Sequence, residues 1–251
     1  MNKIDIPPSL ARLVQLLKSG IEKDGKLSPL KAKELVLEAD VQVEDMYQYA
    51  DFEHPVEDCY GRQMVYDNGN FEVMVMSWNP NDYSSIHNHG YTQWGVVQVF
   101  ADVHHFIYQV KDNQMSFAKK EVLPNGTAVK VNNALIHQMG NLSSEKYFTL
   151  HVYGANDRDE GITADAKNYD LEYERISHTT GGAFFNLPEN LIYDYEKCPV
   201  PTAEVLLHYY HLLMNYYCRQ PQSEKIDELK QNIISQMQEK VSRLSCESAM
   251  V

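Results

Sequence analysis

A chain of 251 residues with 43% hydrophobic, 11% aromatic and 23% charged side chains has the composition of a globular protein, long enough for one sizeable core with additions and short for two ordinary domains. Its formal charge of −13, with 22 scattered basic residues, excludes the basic stripe of a nucleic-acid-binding surface. The opening residues MNKIDIPPSL hold no signal-like apolar run, and later apolar runs are too short or interrupted to span a bilayer, so a cytoplasmic location without membrane partners is expected.

Residues 8–20, PSLARLVQLLKSG, put Leu10, Leu13, Val14, Leu16 and Leu17 on one helical face, with Pro8 near the start and Gly20 as the stop. Residues 29–39 repeat the pattern and VEDMYQYA reads as a third short helix, so 1–58 is expected to be a helical segment. From about residue 59 the period changes. The runs 71–78, 92–110, 116–123, 127–132, 134–139 and 146–154 are β-rich and separated by DNGN, NPND, KDNQ, PNG and GNLSS. Short strands at regular spacing without helices between them predict a mainly β protein, a sandwich or jelly-roll barrel over 59–165. Residues 166–200 read as irregular. In 201–251, two helices at 202–220 and 223–244, joined at Pro221, form an appended hairpin, with His208 and His211 as ordinary amphipathic-face residues.

Cys59, Cys198, Cys218 and Cys246 stand far apart with no CxxC pair, the pattern of reduced thiols. A metal would therefore be held by histidines. In a strand, residues i and i+2 share a face, so His87 and His89 in SSIHNH project side by side. A third ligand must come from a neighbouring strand, where His137 in ALIHQMGN is the candidate and His151 follows on the next. With ten histidines in the chain, such a pair alone equally suits a core or a surface. His104 and His105, being adjacent, face opposite sides and read as surface or groove positions; His54 and His178 fall in loops and receive no role.

The His-x-His pair, the later HQMGN and the strand pattern around them together resemble the two metal motifs of the cupin superfamily. CYGRQMVYDNGNFEVMVMSW followed by SSIHNH narrows the resemblance to its thiol dioxygenase branch, and most to cysteine dioxygenase, over roughly residues 8–165. The ordered set is Tyr-x-Arg, a strand ending in Trp, Ser-Ser-Ile-His-x-His, a third His with a downstream Asn141, and Thr-x-His-x-Tyr. The fold this implies is a cupin jelly-roll barrel with N-terminal helices and the appended C-terminal hairpin. By the same resemblance, His87, His89 and His137 would hold ferrous iron, Arg62 would bind a substrate carboxylate, and Tyr60 would help shape the pocket. Thr149, His151 and Tyr153 would form a hydrogen-bonded relay, and Trp78 and Trp94 are candidate walls, both weighed as more structural than functional.

The chain departs from the cysteine dioxygenase pattern in a missing cysteine, in Asn88 and in the C-terminal hairpin, which lies beyond the family core, and from the standard cupin motif at Gln93. Animal members carry a cysteine after the second histidine that crosslinks to the relay tyrosine; Gln93, Trp94 and Gly95 supply none, so no Cys–Tyr cofactor is expected, as in bacterial members. Asn88 replaces the usual Asp between the ligands and should point away from the metal. The glutamate of a standard cupin metal motif is here Gln93, leaving three neutral imidazoles whose charge an anionic substrate would balance. The activity implied is oxidation of L-cysteine by O₂ to cysteine sulfinate, the second oxidation level of a thiol. The rivals are a dioxygenase of 3-mercaptopropionate, where Gln63 rather than Arg62 would face the metal, and a non-catalytic metal-binding cupin that senses a small molecule.

Overall fold

The computed structural model describes residues 5–157 and 161–248, with side chains as far as residue 239. Helix α1 (Pro8–Asp24) runs past Gly20 and ends at Gly25, whose φ of +70° carries its N–H back to the Ile21 carbonyl. Gly20 serves a different purpose: a Cβ there would stand 2.9 Å from Leu35 Cδ1, so the glycine lets α2 (Pro29–Ala39) approach closely. Ser28 caps α2 by accepting the Lys31 N–H. The short α3 (Val43–Met46) and a 3₁₀ turn over Tyr47–Tyr49 complete the helical segment.

Eight strands follow: β1 (Gly61–Asp67), β2 (Phe71–Trp78), β3 (Trp94–Val99), β4 (Val103–Lys111), β5 (Gln114–Leu123), β6 (Ala128–Val131), β7 (Ile136–Gly140) and β8 (Tyr147–Gly154). The run 92–110 is two strands, broken at residues 100–102. One sheet has the order β1-β2-β8-β3-β6; in the other β4 lies between β5 and β7, with β12 (Val200–Pro201) added in parallel to β5. Every residue of β2 and β8 is buried. Alternation explains this: Met74, Met76, Trp78 and Tyr153 enter the barrel core, whereas Val73, Val75, Leu150 and Val152 pack under the N-terminal helices.

The segment 166–200 is not irregular. It forms β9 (Ala166–Asp170), β10 (Arg175–Thr179) and β11 (Asp194–Lys197), an antiparallel three-stranded sheet; dense turn formers hid its alternation. Helices α4 (Ala203–Arg219) and α5 (Glu224–Ser248) form the hairpin. Leu213, Tyr209 and Tyr216 of α4 join the barrel core, and Arg219 Nη1 reaches the fully buried Asp82 at 2.7 Å. His208 is no free amphipathic residue: it packs against Phe106 and Phe117 and its Nε2 meets Gln138 Oε1 at 3.1 Å. His211 is exposed. Cys59, Cys198 and Cys218 are free thiols, and the Cys246 side chain lies outside the described residues. Among the described residues no helix is long and apolar enough to cross a membrane.

Candidate metal centre

The His-x-His pair does not sit on a strand. It lies on an extended connection between β2 and β3, pinned from two sides. His87 exchanges both backbone hydrogen bonds with His137 of β7, each 2.9 Å. On the other side Asn88 N–H donates to the Lys167 carbonyl and Tyr169 N–H to that of Ile86. The i, i+2 geometry survives because the backbone is extended, and the neighbouring segment supplies His137.

One ring nitrogen from each of His87, His89 and His137 lies within 4.8 Å of the others. His87 Nδ1 faces the Ser85 carbonyl and His137 Nδ1 faces His105 Nε2, both at 2.9 Å. Among the described residues, His137 Nε2 is buried without a hydrogen-bond partner, and neither nitrogen of the buried His89 makes a hydrogen bond of good geometry. Orphaned imidazole nitrogens converging in one cavity are costly unless something occupies them, and a divalent cation fits that donor set. Burial pushes His87 down to about 4 and holds His89 and His137 well below the ordinary histidine value, with neighbouring imidazoles adding to the effect. Neutral rings keep the lone pairs a metal requires.

Across the cavity, β8 presents Thr149, His151 and Tyr153 on its inward face. Thr149 Oγ1 and His151 Nε2 are 2.8 Å apart, and His151 Nδ1 and the Tyr153 hydroxyl 2.7 Å. Burial lowers His151 to about 3 and raises Tyr153 far above its ordinary value, so the pair is a neutral imidazole and a protonated phenol. Trp78 Nε1 donates to Thr149 Oγ1 at 2.9 Å and its ring stacks on Tyr60, centroids 4.7 Å apart. Trp78 is thus a cavity wall tied to the relay, whereas Trp94 packs in the outer core and donates to Asn156. Gly95 stands opposite Tyr153; a Cβ there would meet Val131 at 2.6 Å and the tyrosine ring at 3.0 Å.

Arg62 lines the same cavity and, among the described residues, makes no hydrogen bond or ion pair. Its neighbour Gln63 faces outward and donates to Asp51. Gln93 is spent elsewhere, its Oε1 accepting the Asn156 N–H at 2.8 Å. Asn88 Oδ1 accepts the Lys167 and Gly90 N–H groups. Three wall residues, Thr163, Ala166 and Gly181, come from the part of the chain beyond residue 154, where the sequence showed no site signal. His105 corrects a further expectation: far from the surface, it is 2% exposed and touches His137.

A jelly-roll barrel with three convergent imidazoles inside it defines a cupin with a candidate metal centre. The sequence profile of the cysteine dioxygenase type I family matches residues 8–156, and the chain belongs to that family. It is therefore an oxidoreductase of the thiol dioxygenase type. Similar solved structures include a double-stranded β-helix protein from Klebsiella pneumoniae, 14% identical over 47% of this chain and 90% of its own (TM-score 0.35). A cupin domain from Bordetella pertussis is 13% identical over 39% of this chain and 96% of its own (TM-score 0.32).

Proposed function

We propose that this chain oxidises L-cysteine with O₂ to cysteine sulfinate, using ferrous iron held by His87, His89 and His137. Iron in that position would supply the open coordination sites and the electrons that bring a thiolate and O₂ to reaction. The observation that carries the choice of an amino-acid thiol is Arg62, a guanidinium that lines the cavity holding the imidazoles and makes no ion pair among the described residues, although it acts electrostatically on the buried Glu72. Its planar fork suits two parallel hydrogen bonds to the substrate carboxylate. Tyr60, stacked on Trp78, holds the wall beside it.

The relay acts as an orienting donor. In the tautomer this role requires, the Thr149 hydroxyl, which accepts the Trp78 N–H, donates to His151 Nε2 and His151 Nδ1–H donates to the Tyr153 oxygen, which frees the phenolic proton to point into the cavity. A donor fixed in a water-poor cavity stabilises charge developing on the reacting sulfur and oxygen. A cytoplasmic setting, where thiols stay reduced, suits such a substrate.

The test is oxygen uptake by iron-loaded protein with cysteine and, separately, 3-mercaptopropionate, the sulfur product identified by mass. Cysteine sulfinate matching the oxygen consumed is expected. In Arg62→Ala, kcat/KM for cysteine should fall by about 10²-fold, the loss of roughly 3 kcal/mol of charged hydrogen bonding. Preference for 3-mercaptopropionate would overturn the substrate assignment, and absence of uptake with iron bound would favour a sensing role.

A further inference from the structure

We propose that Glu121 is a positioning residue: through His105 it fixes the tautomer of His137 and strengthens that ring as a metal ligand. The inference rests on the metal reading above and adds a residue pair to it. His105 of β4 stands directly opposite Glu121 of β5 and diagonal to His137 of β7, whose register partner is Ile107. All three side chains turn to one face and touch in series. His105 Nδ1 is 3.2 Å from Glu121 Oε1, and His105 Nε2 is 2.9 Å from His137 Nδ1.

The proton positions follow from what each group is able to do. An ionised carboxylate only accepts, so His105 carries its proton on Nδ1. A neutral imidazole has one proton, which makes His105 Nε2 an acceptor. His137 must then donate through Nδ1, leaving Nε2 as a bare lone pair, and that is the buried, unpartnered nitrogen directed at the other two imidazoles. Reversing the chain would place an N–H where a cation belongs. A carboxylate behind a ligand histidine also raises the ring's basicity, which matters in a site built from three neutral donors. Glu121 Oε2 is held by Lys119 Nζ at 2.5 Å, so the carboxylate stays at the barrel rim, 22% exposed, with its other oxygen on His105.

The experiment titrates metal-free protein with Co²⁺ and records long-range ¹H–¹⁵N spectra of its histidines, for the wild type, Glu121→Gln and Glu121→Ala. Glu121 is partly exposed, so both variants should fold, and melting of the metal-free proteins checks this. Expected are a roughly tenfold or larger rise in the Co²⁺ dissociation constant and loss of the single Nδ1–H form of His137 in the variants. An affinity within about twofold of wild type together with an unchanged His137 tautomer would overturn the proposal. A wild type that binds no Co²⁺ would instead sink the metal reading, while the spectra still judge the relay.

Discussion

At the scale of single residues the proposed function separates groups that would touch the reaction from groups that would prepare them. Tyr153 stands beside the imidazoles, its ring centroid 5.2 Å from that of His89. Tyr153→Phe keeps the ring and removes the proton. Its kcat should fall by about 10²-fold, the usual cost of losing one oriented donor, with metal content unchanged; steady-state kinetics beside iron analysis checks this, and an unaltered kcat would remove Tyr153 from the mechanism. The residue pattern made Tyr153, His151 and Thr149 legible together, because alternation along one strand is sufficient to share a face. His105 and Glu121 were not legible. Counting back from the turn at residues 112–113 sets Lys120 opposite His105, but a bulge between Ile107 and Tyr108 shifts the ladder by one. The partner of the imidazole therefore changes from a cation to a carboxylate, and nothing in the local sequence marks the bulge.

At the scale of elements, the C-terminal hairpin is tied to the body through buried polar groups. Glu172, in the turn between β9 and β10, accepts the Tyr217 hydroxyl of α4 at 3.2 Å. Burial pushes its carboxyl up to about 7, the Tyr217 bond opposes this, and Asp170 raises it further against Arg175. A carboxyl raised from 4.5 in the unfolded chain binds its proton more tightly when folded, so its contribution is full below about pH 4.5 and is lost as pH rises through about 7. Glu172→Gln, which is neutral at every pH, should gain on wild type by about 3 kcal/mol between pH 4.5 and 8. Urea unfolding of both proteins across that range measures the difference; a flat difference would mean the carboxyl is ionised in the fold. The helices were readable from their apolar spacing, whereas β9, β10 and β11 were not, because their strands are short and gain stability only from pairing with one another and with the connection that carries His87.

At the scale of the whole molecule, two buried clusters share one sheet: the N-terminal helices cover its outer face, and the inward side chains beside the metal candidates belong to a second cluster, which α4 extends from outside the barrel over β5 and β12. An ion bound by the folded chain alone stabilises it by mass action. Co²⁺ or Fe²⁺ at 100 times its dissociation constant should add about 2.7 kcal/mol to unfolding, read as a higher melting temperature that His137→Ala does not show. Equal melting with and without metal would separate this cavity from metal binding.

What the sequence determined by itself was the kind of protein and the inward set. Two-residue spacing, a local property of the chain, put His87 beside His89 and Thr149, His151 and Tyr153 on one face, and the family resemblance carried by the ordered motifs joined them with His137 and Arg62 as one group. Tertiary structure decided that the His-x-His pair rides an extended connection held by β7 and β9, that Arg62 rather than Gln63 enters the cavity, and that Glu121 stands behind His137 through His105. Each of these depends on which backbone lies alongside which and in what register. Register is set by long-range pairing and bulges, which no local pattern records.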